Sequence, residues 1–165
     1  MRSLYLLRHA KSSWDDPALA DHDRPLAPRG RRDGKLIAEH LHSEGIEPEL
    51  VLCSSAVRTQ ETLELIQPAL ARTTVAVEDE LYGASPDELL GRIRAVPDEV
   101  ASVLVIGHNP GLQQLALVLA ASGGERDRLR EKFPTAALAT LAFRGSSVAP
   151  GSATLAAYVV PKQLR

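Results

Sequence analysis

A chain of 165 residues, 44% of them hydrophobic, is long enough to bury a sizeable core and too apolar for disorder. Its formal net charge of -2 argues against a nucleic-acid platform driven by bulk charge, and its length fits one domain over residues 1–165. Cys53 is the only cysteine, which excludes an internal disulfide and makes a reducing cytoplasm the simplest setting.

In chain order, Leu4 to Leu7 is a short continuous apolar run and predicts a strand buried on both faces. It is too short for a signal peptide, and no small-residue cleavage site follows it. The polar stretch Lys11 to Arg29, with Pro17, Pro25 and Pro28, predicts a loop. Gly30 to Glu44 predicts a helix with Leu36, Ile37 and Leu41 on one face, stopped by Gly45. Leu50 to Cys53 predicts a second strand, and Ser54 or Ser55 a cap for a helix over Val57 to Leu70. Thr74 to Val77 predicts a third strand, and Ser85-Pro86 opens a helix over Asp87 to Val96. Ser102 to Ile106 predicts a fourth strand, followed by a helix from Pro110 to about Ala121. The most apolar stretch, Leu112 to Ala121, falls short of the ~18 residues a membrane helix needs, so no membrane partner is expected. Ala137 to Phe143 and Thr154 to Val160 predict an antiparallel pair joined by a Gly/Pro/Ser loop.

Strands alternating with helices predict a three-layer α/β/α sandwich with a mostly parallel central sheet. Ligands in such sheets bind beyond the carboxyl ends of the strands. Arg8-His9, Ser54 to Arg58, Glu80 and His108 each follow a strand end, so four separate segments converge on one crevice.

The side chains at those ends suit a phosphoryl group. Its three oxygens need surrounding cations and an in-line nucleophile. Arg8 and Arg58 supply planar forks that each bind two oxygens, and the first turn of the helix carrying Arg58 adds backbone N–H groups. A neutral His9, with one ring nitrogen held by an acceptor, serves as the nucleophile, and His108 donates a charged hydrogen bond to phosphate. Each residue alone has an ordinary reading: a loop histidine, a solvated arginine, a surface acid. Joint placement at four strand ends is what argues otherwise. His40 and His42 stand two apart, the wrong spacing for a metal pair on one helix face, and no metal or cofactor is expected. Gly107-His108-Asn109-Pro110-Gly111 lacks the Gly-Lys-Ser/Thr ending of a P-loop.

Leu7-Arg8-His9-Ala10-Lys11-Ser12, Ser54 through Thr62 with Arg58 at its centre, Glu80-Leu81 and Gly107-His108-Asn109-Pro110 together resemble the motifs of the histidine phosphatase, or phosphoglycerate mutase-like, superfamily. Ala10 in place of the usual Gly, Arg24-Pro25-Leu26, the short chain and Phe133-Pro134-Thr135 resemble its SixA-type phosphohistidine phosphatase branch. The resemblance implies a phosphoglycerate mutase-like fold, a phosphorylated His9, and Arg8, Arg58 and His108 as the rest of the phosphate pocket. It further implies Arg24 as a substrate-binding residue and places Glu80 where mutase-like relatives supply a proton donor.

The leading expectation is a metal-independent phosphatase acting on protein phosphohistidine through a phospho-His9 intermediate. Alternatives are a phosphatase for small phosphate esters and a phosphate-binding module without turnover. A mutase is disfavoured, because transfer needs a closed pocket that excludes water.

Overall fold

Continuous apolar runs in the first, second and fourth strands, whose side chains point alternately to either face, explain the layers of the computed structural model, which describes residues 1–121 and 124–165. Strands β1 (Ser3–Arg8), β2 (Leu50–Ser54), β3 (Thr74–Glu78), β4 (Ser102–Gly107), β5 (Leu138–Phe143) and β6 (Ala153–Val159) form one sheet in the order β3-β2-β4-β1-β5-β6. The first four in that order are mutually parallel. β5 runs antiparallel to β1, and β6 antiparallel to β5.

Side chains alternate across a strand, so β4 feeds two cores. Val103 and Val105 pack with Leu89 and Ile93 of α3 (Pro86–Arg94), Leu112 and Leu115 of α4 (Gly111–Leu119) and Leu129 of α5 (Arg126–Glu131). Leu104 and Ile106 pack on the other face with Ile37 and Leu41 of α1 (Pro28–Ser43) and Leu63 and Ile66 of α2 (Val57–Ile66). The result is the expected three-layer α/β/α sandwich with a mostly parallel sheet. Among the described residues no helix is long and apolar enough to cross a membrane.

Several boundaries depart from the sequence expectation for local reasons. α1 starts at Pro28, whose fixed φ and missing N–H suit a first helical position. α2 is capped by neither Ser54 nor Ser55; its N-cap is Ala56, and both serine hydroxyls bond histidines instead. It stops at Ile66 and tightens into a 3₁₀ turn, Gln67–Ala69, where Pro68 has no N–H to continue the helical ladder. Ser85 forms a full capping box with Glu88 at the start of α3. The six-residue α5 buries only Leu129, too little for a helical period to show in the sequence.

The front of α1 lies directly against the loop after β1. Ala27 N–H donates to the Lys11 carbonyl at 2.8 Å, and a Cβ built on Gly30 would stand 2.1 Å from that same oxygen. An alanine at Gly30 would gain about 1 kcal/mol of helix propensity in isolation. The backbone clash outweighs this, since overpacking costs about 1–3 kcal/mol. Gly30→Ala is therefore expected to lower the urea midpoint at unchanged m-value; a midpoint equal to or above the wild type would show that the loop yields freely.

Candidate active site

β1 and β4 are neighbours at the centre of the sheet, so their carboxyl ends lie side by side. Arg8 is in register with Gly107, and His9 N–H donates to the Gly107 carbonyl at 3.0 Å. This sets the rings of His9 and His108 5.3 Å apart. His9 Nδ1 lies 2.7 Å from the Ala10 carbonyl oxygen. A carbonyl only accepts, so the ring proton is on Nδ1 and the lone pair is on Nε2. That lone pair faces Arg58, whose Nε–H approaches it at 3.4 Å.

Burial holds the His9 imidazole down at about 3; the Ala10 hydrogen bond opposes this, and the charges of His108, Arg58 and Arg8 add to it. His108 is held down at about 4, first by burial and then by Arg58. Both rings are thus neutral near pH 7. Arg58 Nη2–H donates to His108 Nδ1 at 3.5 Å, and His108 Nε2–H donates to Ser54 Oγ at 2.7 Å. The expectation of a charged His108 donor therefore needs an anion beside the ring to favour its protonated form.

Arg58 is buried in the first turn of α2 and is aimed by Asp21, the first residue of the 3₁₀ turn Asp21–Asp23. Arg58 Nη1–H donates to the Asp21 carbonyl at 2.7 Å, and Nη2–H to Asp21 Oδ2 at 3.0 Å. The Tyr82 hydroxyl donates to the same Oδ2 at 2.6 Å, and Arg24 Nε–H to Oδ1 at 3.2 Å. The Tyr82 hydrogen bond, then Arg58, hold the Asp21 carboxyl down at about 2 against partial burial. Arg8 Nη1–H donates to the Phe133 carbonyl at 3.1 Å, while its buried Nε has no partner among the described residues. Asn109 Nδ2–H shares that carbonyl at 3.0 Å.

These residues surround an open cleft of about 230 Å³. The structure brings Arg8, His9, Arg24, Arg58 and His108 together on its walls, with Lys11, Asn109 and Thr135. Arg24 lies 3.4 Å above the ring of Trp14, which is 70% exposed at the cleft. Glu80 is not among the lining residues. It is exposed in the 3₁₀ turn Asp79–Leu81, after the edge strand β3, and makes no side-chain hydrogen bond among the described residues. From that turn it is Tyr82 that reaches the site, its ring edge-on to His108 at 5.5 Å.

Sequence reasoning missed Asp21, Tyr82 and Trp14. The one signal available was the charged run Asp21-His22-Asp23-Arg24 ahead of Pro25, dense for a connecting loop.

Residues 4–104 match the family model of the histidine phosphatase superfamily, branch 1. The chain is 40% identical over 166 residues to Rv1276c, an uncharacterized protein of Mycobacterium tuberculosis, across 94% of this chain and 100% of the relative. It is 34% identical over 110 residues to the phosphohistidine phosphatase SixA of Escherichia coli, across 65% of this chain and 67% of that protein. A solved structure of the protein histidine phosphatase SixA complexed with tungstate superposes with a TM-score of 0.82 at 28% identity, covering 99% of each chain. The paired strand ends, the arginines Arg8 and Arg58 beside them and these matches agree: the chain belongs to the histidine phosphatase superfamily, in its SixA-type branch, and is a phosphatase.

Proposed function

We propose that the enzyme removes phosphate from phosphohistidine on proteins, without a metal, by way of a phosphohistidine intermediate at His9. The observation that carries this reading is the His9 ring itself: neutral, with its Nδ1–H engaged and its Nε2 lone pair turned to a buried arginine. Nε2 attacks phosphorus, the bond from phosphorus to the substrate imidazole breaks, and that imidazole takes its proton from solvent. Water then attacks the phosphorus on His9, releasing inorganic phosphate and restoring the free ring. Arg8 and Arg58 supply the positive charge that the equatorial oxygens require. A phosphoryl oxygen also offers an acceptor to the buried Arg8 Nε–H, whose isolation otherwise costs about 1–3 kcal/mol. The likeness to proteins named phosphohistidine phosphatase supports the substrate class, and the open cleft suits a phosphoryl group standing on a protein surface. A single, buried cysteine suits a reducing cytoplasm.

The leaving group decides between this reading and a small-ester phosphatase. An alkoxide needs an acid to protonate it, whereas imidazole does not. Glu80, exposed and away from the cleft lining, is poorly placed to be that acid. Wild-type kcat/KM is therefore expected to favour a phosphohistidine peptide over sugar phosphates. Glu80→Gln should leave the peptide rate within about twofold, while His9→Ala lowers it by at least about a thousandfold. Strong preference for a sugar phosphate would establish the small-ester reading instead.

The depressed histidines yield a second expectation. Unfolded, both rings titrate near 6.5; folded, His9 and His108 do so near 3 and 4. Between those values the unfolded chain binds more protons, so their contribution to stability is full above pH ~6.5 and is lost as the pH falls through that window. Ring resonances of both residues should show midpoints well below 6.5, and saturating tungstate should raise that of His108. Midpoints near 6.5 in the free enzyme would contradict the neutral pair.

A further inference from the structure

A second hollow of the described molecule is larger than the catalytic cleft. A groove of about 500 Å³ lies on the far side of the Pro134-Thr135 segment, and Thr135 lines both hollows. The two are joined a second way: Arg29, on the groove, precedes Gly30, which abuts the Lys11 backbone of the cleft wall.

The groove is a built feature. Its floor includes Tyr158, whose hydroxyl donates to the Lys132 carbonyl and whose ring carries the Arg128 guanidinium 4.9 Å from its centroid. Asp33, only 3% exposed, accepts from Arg165 Nη2–H through both oxygens, at 3.1 and 3.2 Å, and lies 3.9 Å from Arg29 Nε. That acid is spent on fixing two cations in place. Five basic side chains line the groove against two acidic ones, in a chain whose net charge is -2. Lys132 and Lys162 are exposed and make no ion pair among the described residues. A concave surface of concentrated positive charge on an otherwise acidic chain favours an anionic partner and steers its approach.

We propose that this groove docks an acidic segment of the phosphoprotein whose phosphohistidine enters the cleft. The inference rests on the proposed phosphohistidine activity for its substrate class. One wall separates the hollows, so a chain crossing Thr135 reaches both at once. The phosphoryl group then occupies the arginine-lined end while carboxylates beside it meet Lys132 and Lys162. Free phosphohistidine uses the cleft alone.

The test compares three substrates with the full chain: free phosphohistidine, a peptide with one phosphohistidine flanked by glutamates, and the same peptide flanked by glutamines. The wild type is expected to favour the glutamate peptide in kcat/KM by about tenfold, less at high salt. Lys132→Glu combined with Lys162→Glu should remove that preference and leave free phosphohistidine turnover unchanged. No preference in the wild type, or one that survives the double substitution, overturns the docking role. If the wild type hydrolyses none of the three, the activity reading fails by itself, and binding of the unphosphorylated glutamate peptide, followed by fluorescence anisotropy, decides the groove. Weaker binding by the double variant supports it, and equal binding overturns it. A single-stranded oligonucleotide of equal charge that binds the groove more tightly than the peptide overturns the assignment to an acidic protein segment.

Discussion

The hydrogen bond from His9 Nδ1 to the Ala10 carbonyl is the constraint around which the site is arranged. It fixes the tautomer, and with it the nitrogen that can react. A bond between adjacent residues holds a ring only if the backbone beneath is held too, and three further contacts do this. His9 N–H is bonded to β4, and Ala10 N–H to Thr62 Oγ1 at 3.0 Å. The Thr62 hydroxyl donates in turn to the Arg58 carbonyl at 2.7 Å, so the nucleophile loop and the Arg58 turn are one hydrogen-bonded unit. On the other side, Ala136 N–H reaches the carbonyls of Arg8 and His9 at 3.1 and 3.0 Å. The helix face of Thr62, the end of β4 and the turn before β5 thus meet at one dipeptide, and the sheet order makes this possible by placing β4 and β5 on either side of β1.

Charge is balanced around that unit. Arg8 and Arg58 disfavour one another's charge and that of the two histidines: burial and then Arg58 lower the Arg8 pKa, and both histidines are neutral. Asp21 offsets part of the excess from outside the cleft lining, its carboxylate fixed by Tyr82, Arg58 and Arg24. Two of the Arg58 nitrogens are engaged by Asp21, which sets the guanidinium plane, while Nε–H faces the reactive ring and Nη2 also reaches His108 Nδ1. The site is thereby organised before phosphate arrives, which is the condition for electrostatic stabilisation of a transition state. Orientation and charge are supplied by different residues: Ala10, Thr62, Asp21 and Tyr82 orient, while Arg8 and Arg58 carry the charge.

That division explains what could be read from the sequence. The apolar runs of β1, β2 and β4 and the helices between them follow from local pattern, and with the rule for strand ends they locate Arg8, His9, Arg58 and His108. Asp21 and Tyr82 stand 61 positions apart and meet only through tertiary structure, so no spacing announces them. Trp14 reads as one more exposed loop residue until Arg24 is seen stacked on it. Glu80 shows the limit of the strand-end rule. It does follow a strand, but β3 is the sheet edge, with β2 and β4 between it and β1. The caps of α2 illustrate a different limit: Ser54 and Ser55 are good capping residues whose hydroxyls are drawn off by His108 and His22.

The central claim is that backbone geometry selects one nitrogen of one histidine as the nucleophile. It is tested most directly by trapping the phosphoenzyme in base and assigning the phosphorylated atom by phosphorus and nitrogen NMR. The account predicts phosphate on Nε2 of His9, with Nδ1 still protonated. Phosphate on Nδ1 of His9, on another histidine, or on a serine or carboxylate would contradict it.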